Sequence, residues 1–216
     1  MAQVFPRYMN TVARVTAVAV VSLAVALLWL WDRLQRSPYV TDVRIAKTQP
    51  VPFSHRHHVG EIGMDCRYCH QSVETSAFAG IPPTELCIGC HNQIWSDSPM
   101  LEPVRASFKN DEPLRWARIH DLPDYAYFNH SAHLTAGVGC SSCHGRVDEM
   151  PLMWRHADLT MGWCLDCHRN PIPHLRPRDA VFQMDWEPPP DQAERGAALA
   201  AERGIQTLEG CSYCHR

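Results

Sequence analysis

The chain has 216 residues, 20% of them charged and 45% apolar, with a formal net charge of −3. This length suits one domain plus a tail, and the balance excludes a disordered polyelectrolyte. Residues 1–36 hold four Arg and one Asp, so residues 37–216 carry the acidic excess and repel nucleic acid.

In chain order, the first predicted element is a membrane-spanning helix, over about residues 12–31. Val15 to Trp31 is 17 residues without a charge, the low end for a span. Arg14 and Arg33 bracket it and can snorkel to headgroups, and Trp29 and Trp31 suit an interfacial belt. Ala24-Val25-Ala26 offers a signal-peptidase site, but the apolar run continues five residues past it, so the reading is a retained anchor. Residues 1–36 are then a cytoplasmic N-terminus and anchor, and residues 37–216 one further domain. Arg7 and Arg14 balance Arg33 and Arg36, so charge does not orient the span.

After the anchor, Cys-x-x-Cys-His occurs five times and uses every cysteine: Cys66, Cys69 and His70; Cys87, Cys90 and His91; Cys140, Cys143 and His144; Cys164, Cys167 and His168; Cys211, Cys214 and His215. This is the attachment signature of c-type haem. The two thiols form thioethers to the porphyrin, and the adjacent His becomes the proximal iron ligand. Zinc explains pairs of CxxC, but gives no reason for an odd number or for a His after each one. The expected cofactors are five covalent haems. With some 36 residues per haem, the porphyrins must make much of the core, wrapped by loops and short helices; the 17 prolines fit this. The predicted fold is a single N-terminal transmembrane helix plus a loop-rich, mostly α multihaem cytochrome c domain with little sheet. Covalent haem attachment occurs outside the bacterial cytoplasmic membrane, which places the haem domain in the periplasm as a single-pass protein.

The gaps between motifs are 16, 48, 19 and 42 residues, a short–long alternation that reads as a duplication. The units are about 51–91 and 120–168, with a half-unit at about 191–216. Each full unit opens on a paired histidine: Phe53-Ser54-His55-x-x-His58 and Phe128-Asn129-His130-x-x-His133. On a helical turn, residues i and i+3 share a side, so two imidazoles can reach two haems. The distal iron ligands are therefore expected to be His55, His58, His130 and His133, with His120 as the fifth. His57 lies between two pair members and should point elsewhere. His156, His174, Met150, Met153, Met161 and Met184 compete with His120; a Met ligand would raise that haem's potential. Packing against porphyrin is the plainer role for each Met. Asp191 to Leu208 reads as a helix entering the last motif, after Pro188-Pro189-Pro190.

The segments FSHRHHVGEIGMDCRYCH, RIHDLPDYAYFNHSAH and LTMGWCLDCHR resemble the pentahaem cytochrome subunit of alternative complex III, the bacterial quinol:cytochrome c oxidoreductase. The paired-His units are also similar to class III multihaem cytochromes. The first resemblance covers nearly the whole chain. It implies a hetero-oligomer with an iron–sulfur subunit related to molybdopterin enzymes, polytopic quinol-binding membrane subunits and a monohaem cytochrome c. The chain would then be an electron-transfer subunit rather than a catalyst by itself. The alternative is a stand-alone membrane-anchored quinol dehydrogenase feeding a periplasmic reductase. A catalytic oxyanion reductase needs a vacant iron, and five motifs ending in His with spare histidines do not mark one.

Overall fold

The computed structural model describes residues 4–215. The chain divides into two compact units, one ending at Val43 and one beginning at Arg44.

The first unit is built on α1, Tyr8–Gln35, whose 28 residues span about 42 Å. Its most apolar window has a mean hydropathy of 2.2, so it is long and apolar enough to cross a bilayer. None of its side chains is buried. It begins before the predicted span because Tyr8 to Arg14 contains no helix breaker, the nearest being Pro6. At its other end, the Arg33 guanidinium lies 5.6 Å from the Trp29 ring centre and Arg36 pairs with Asp32 at 2.9 Å. A single turn, α2 (Pro38–Thr41), follows with Pro at its first position, where no N–H is needed.

The second unit is a succession of short helices and turns: α3 (Cys66–Cys69), α4 (Thr84–His91), α5 (Glu102–Asn110), α6 (His130–Ala136), α7 (Cys140–His144), α8 (Met161–Arg169), α9 (Gln192–Arg203) and α10 (Cys211–Cys214). Among the described residues there is no sheet; isolated bridges join Ala46 to Trp154, Ala126 to His215 and Val138 to Leu175. The apolar core is thin for the unit's length, with Val51, Val73, Val104, Met150, Leu175, Val181 and Met184 among its buried side chains.

Two glycines permit contacts that a side chain would block. A Cβ at Gly60 would collide with the Asp148 carbonyl, and one at Gly196 with that of Ile172. The helix predicted over 191–208 stops at Arg203, because Gly204 takes a left-handed conformation (φ 63°) and caps it.

The two His-bearing turns dock reciprocally. The first occupies a π-helical turn, Arg56–Glu61, with His55 as its cap. Its Arg56 N–H donates to the Met150 carbonyl (3.0 Å), just after the third motif. The second turn is α6, whose Ser131 N–H donates to the Ser76 carbonyl (3.2 Å), just after the first motif. The Asn129 side chain caps α6 by accepting from Ala132 N–H (3.4 Å).

Candidate functional site

Each of the five motifs coils into a helical turn, so its cysteines at i and i+3 face one side and its histidine follows at i+4. Local caps fix some of these turns. The Asp65 carboxylate accepts from the Arg67 N–H (2.8 Å) and holds the Arg67 guanidinium (2.7 Å), which keeps the carboxyl below its usual range. The Thr160 hydroxyl accepts from the Trp163 N–H (3.4 Å) at the start of α8. All ten thiols are free.

Six of the imidazoles are oriented by backbone carbonyls. The Nδ1 of His70 bonds Gly80 O (2.7 Å), that of His91 bonds Ile94 O (3.0 Å), and that of His215 bonds Tyr125 O (3.1 Å). In the paired turns, His58 bonds Ser54 O (2.8 Å), His130 bonds Ala77 O (2.8 Å) and His133 bonds Asn129 O (2.7 Å) through the same nitrogen. An Nδ1–H donated to a carbonyl leaves Nε2 as a lone-pair donor, the tautomer a metal ligand needs.

The paired turns carry the same contacts. Phe53 stacks on His58 (4.4 Å between ring centres, 24° between planes) and meets His55 edge-on (4.9 Å, 88°). Phe128 stacks on His133 (4.4 Å, 26°) and meets His130 edge-on (4.8 Å, 87°). The second member of each pair stands opposite the last histidine of its own unit: His58 to His91 at 6.2 Å and His133 to His168 at 6.0 Å. Two imidazoles trans on one metal, with bonds of about 2 Å, hold their ring centres about 6 Å apart.

The first members lie deeper. His130 is 6.4 Å from His144 with the rings nearly parallel (7°), and His120 touches His144 at 4.3 Å. His55, His70, His120, His130 and His144 form one group. The contact between His120 and His144 is too close for two trans ligands of one iron. The Nδ1 of His55, the Nε2 of His120 and the Nδ1 of His144 are shut off from solvent with no hydrogen-bond partner. Burial disfavours the charged ring, so His55 and His120 are lowered to about 4 and His144 lies well below its ordinary value. Burial also lowers His58 and His133.

The remaining candidates differ in placement, and His156 stands nearest the buried group, close to His120. His57 bonds the Glu61 carboxylate (2.8 Å), stacks on the exposed Trp95 (6.2 Å) and meets His58 edge-on (5.5 Å, 85°). His156 is exposed with its ring beside Gly145, and His174 closes a 3₁₀ turn, Ile172–His174. Met150 and Met184 are core side chains, Met153 is half-buried and Met161 is exposed. His215 makes its ring contact with Tyr125 at 5.9 Å.

Sequence reasoning gave Phe53 and Phe128 no role, although their recurrence two residues before each pair was visible. It also missed Arg176, which carries no local signature. That guanidinium is 4% exposed, bonds Gln183 O (3.0 Å), Ser141 Oγ (2.7 Å) and Ser142 Oγ (3.2 Å), and lies 4.4 Å from the Trp186 ring centre. Burial lowers its affinity for the proton.

These residues fit covalent c-type haem. Paired free thiols on one helical face, a neighbouring imidazole with its Nε2 unengaged, buried histidine nitrogens without partners and a thin apolar core all suit a porphyrin held against each turn. Large exposed side chains accompany the motifs, including Tyr68, Ile94, Trp95 and Tyr213, and offer apolar surface to such a group.

No family model matches the chain. Over 125 residues it is 34% identical to the multiheme cytochrome c subunit of the menaquinone reductase of Nitratidesulfovibrio vulgaris. The match covers 57% of this chain and 56% of that protein, so the chain spans about half the length of its relative.

Proposed function

We propose that this chain is a membrane-anchored pentahaem c-type cytochrome that carries electrons within a quinone-linked oxidoreductase complex. The observation that carries this reading is the five attachment turns surrounded by imidazoles. Haem iron held by these imidazoles would supply one-electron transfer. The cysteine pairs 66/69, 87/90, 140/143, 164/167 and 211/214 hold the porphyrins, and His70, His91, His144, His168 and His215 are the proximal ligands. His58 faces His91 and His133 faces His168, and each pair would hold one haem iron between them. His55 and His130 would be the distal ligands in the group around His70 and His144, and His120 is the remaining distal candidate. At His58, His70, His91, His130, His133 and His215 the carbonyl bond to Nδ1 would fix the ring and leave Nε2 free to bind iron.

α1 is the anchor, in the bacterial cytoplasmic membrane, with residues from about 37 onward in the periplasm. The likeness to the menaquinone reductase cytochrome supports a subunit of a quinone-linked membrane complex. The sequence resemblance to alternative complex III supports transfer from quinol toward cytochrome c, alongside an iron–sulfur subunit, polytopic quinol-binding subunits and a monohaem cytochrome c. The relative's name favours a second reading, in which electrons flow toward the quinone. A stand-alone quinol dehydrogenase is the third.

The test is extraction from native membranes in mild detergent, followed by assays of both directions on what co-elutes. Quinol-dependent reduction of cytochrome c in a large assembly supports the first reading, and menaquinone reduction by that assembly supports the second. A lone chain that oxidises quinol unaided overturns both.

A further inference from the structure

We propose that the five attachment motifs form one unbranched row, in the order second, first, third, fourth, fifth, so that electrons enter and leave at the second and fifth motifs. This rests on the haem reading of the motifs.

The centre of the row follows from an internal pseudo-twofold axis. The duplication shifts His55 to His130 by 75 residues and Cys66 to Cys140 by 74. Applied to the bond from Arg56 N–H to Met150 O, it gives Ser131 N–H to Ser76 O, and both bonds are made. Each His-bearing turn therefore docks on the segment after the first motif of the other unit. Cys66 and Cys140 are equivalent under the same operation, and their thiols are close enough to shift each other's ionisation, Cys66 downward and Cys140 upward. The first and third motifs thus meet at the axis.

The paired histidines extend the row outward. His55 and His58 share one turn; the first joins the central group and the second faces His91 of the second motif. His130 and His133 do the same, toward His144 and then His168 of the fourth motif. Past the fourth motif, the Arg169 guanidinium pairs with Glu209 at 2.9 Å, which ties α8 to the turn carrying the fifth. The exposed thiols, Cys90 and Cys211, belong to the second and fifth motifs, whereas the other eight are half-buried. Sequence order and spatial order therefore differ: the conduit runs backward through the first unit and forward through the second.

The test is an NMR-monitored redox titration of the purified holoprotein, which resolves each haem by its methyl signals. Neighbouring haems shift one another's midpoints when their charge changes. H58M and H133M leave all five attachment motifs intact and raise the potential of the haem of the second and of the fourth motif. H58M is expected to shift the midpoint of one other haem, and H133M of two. H58M moving two or more neighbours, or H133M moving only one, overturns the row. If either variant does not fold, the stepwise titration of the unaltered protein gives the same count: two haems with one strong neighbour and three with two. Covalent haem content is the separate readout. A chain purified without haem overturns the underlying reading; five haems with a branched coupling pattern overturn the row alone.

Discussion

His58 and His133 show how a single residue is prepared for its task. Each gives its Nδ1–H to the carbonyl four residues earlier and lies under a phenylalanine ring, so its orientation is set before any iron binds. Replacing either with Ala is expected to turn one of five haems from low-spin to high-spin while all five stay attached. The visible and EPR spectra check this; an unchanged low-spin spectrum in both variants excludes these residues as ligands. Acid should act later at His55 and His120, which burial lowers from 6.5 to about 4. The folded state then resists protons that the unfolded chain takes up below pH 6.5. Their contribution to stability is complete above that value and is lost as the pH falls toward 4. The denaturation midpoint is expected to fall as the pH is lowered from 6.5 toward 4, and a midpoint that stays flat across that window would contradict this.

At the scale of elements, the docking of the first His-bearing turn depends on Gly60. Any side chain there meets the Asp148 carbonyl, a backbone atom that cannot rotate away. Gly60→Ala is expected to cost about 2 kcal/mol, read as a lower denaturation midpoint. A wild-type midpoint would show that the turn is not clamped at this point. The elements differ in how far they were legible. α9 was visible from its composition and preceding prolines, but it ends at Arg203, five residues short of Leu208. The paired histidines were legible as a turn. Its π-helical form in the first unit was not, because the extra residue per turn arises where Arg56 and Gly60 dock on residues 148–150. His120 was selected as an additional ligand by position, and the fold brings it against His144.

For the whole molecule, the acidic second unit and the apolar α1 are separable in sequence and in structure. Deleting residues 1–36 behind an export signal is expected to release a soluble protein with its haems attached. Membrane fractionation and haem staining check this, and a truncated protein still held in the bilayer would require a second membrane contact. The sequence by itself determined the attachment turns, because Cys, Cys and His at i, i+3 and i+4 are neighbours on any helical turn. It likewise determined the apolar run and the duplication. Only the tertiary structure decided which motif lies beside which. That rests on contacts such as Arg56 with Met150 and Ser131 with Ser76, between segments far apart in the chain. Local helix geometry cannot specify such contacts; they form only when two folded units bury their turns against each other.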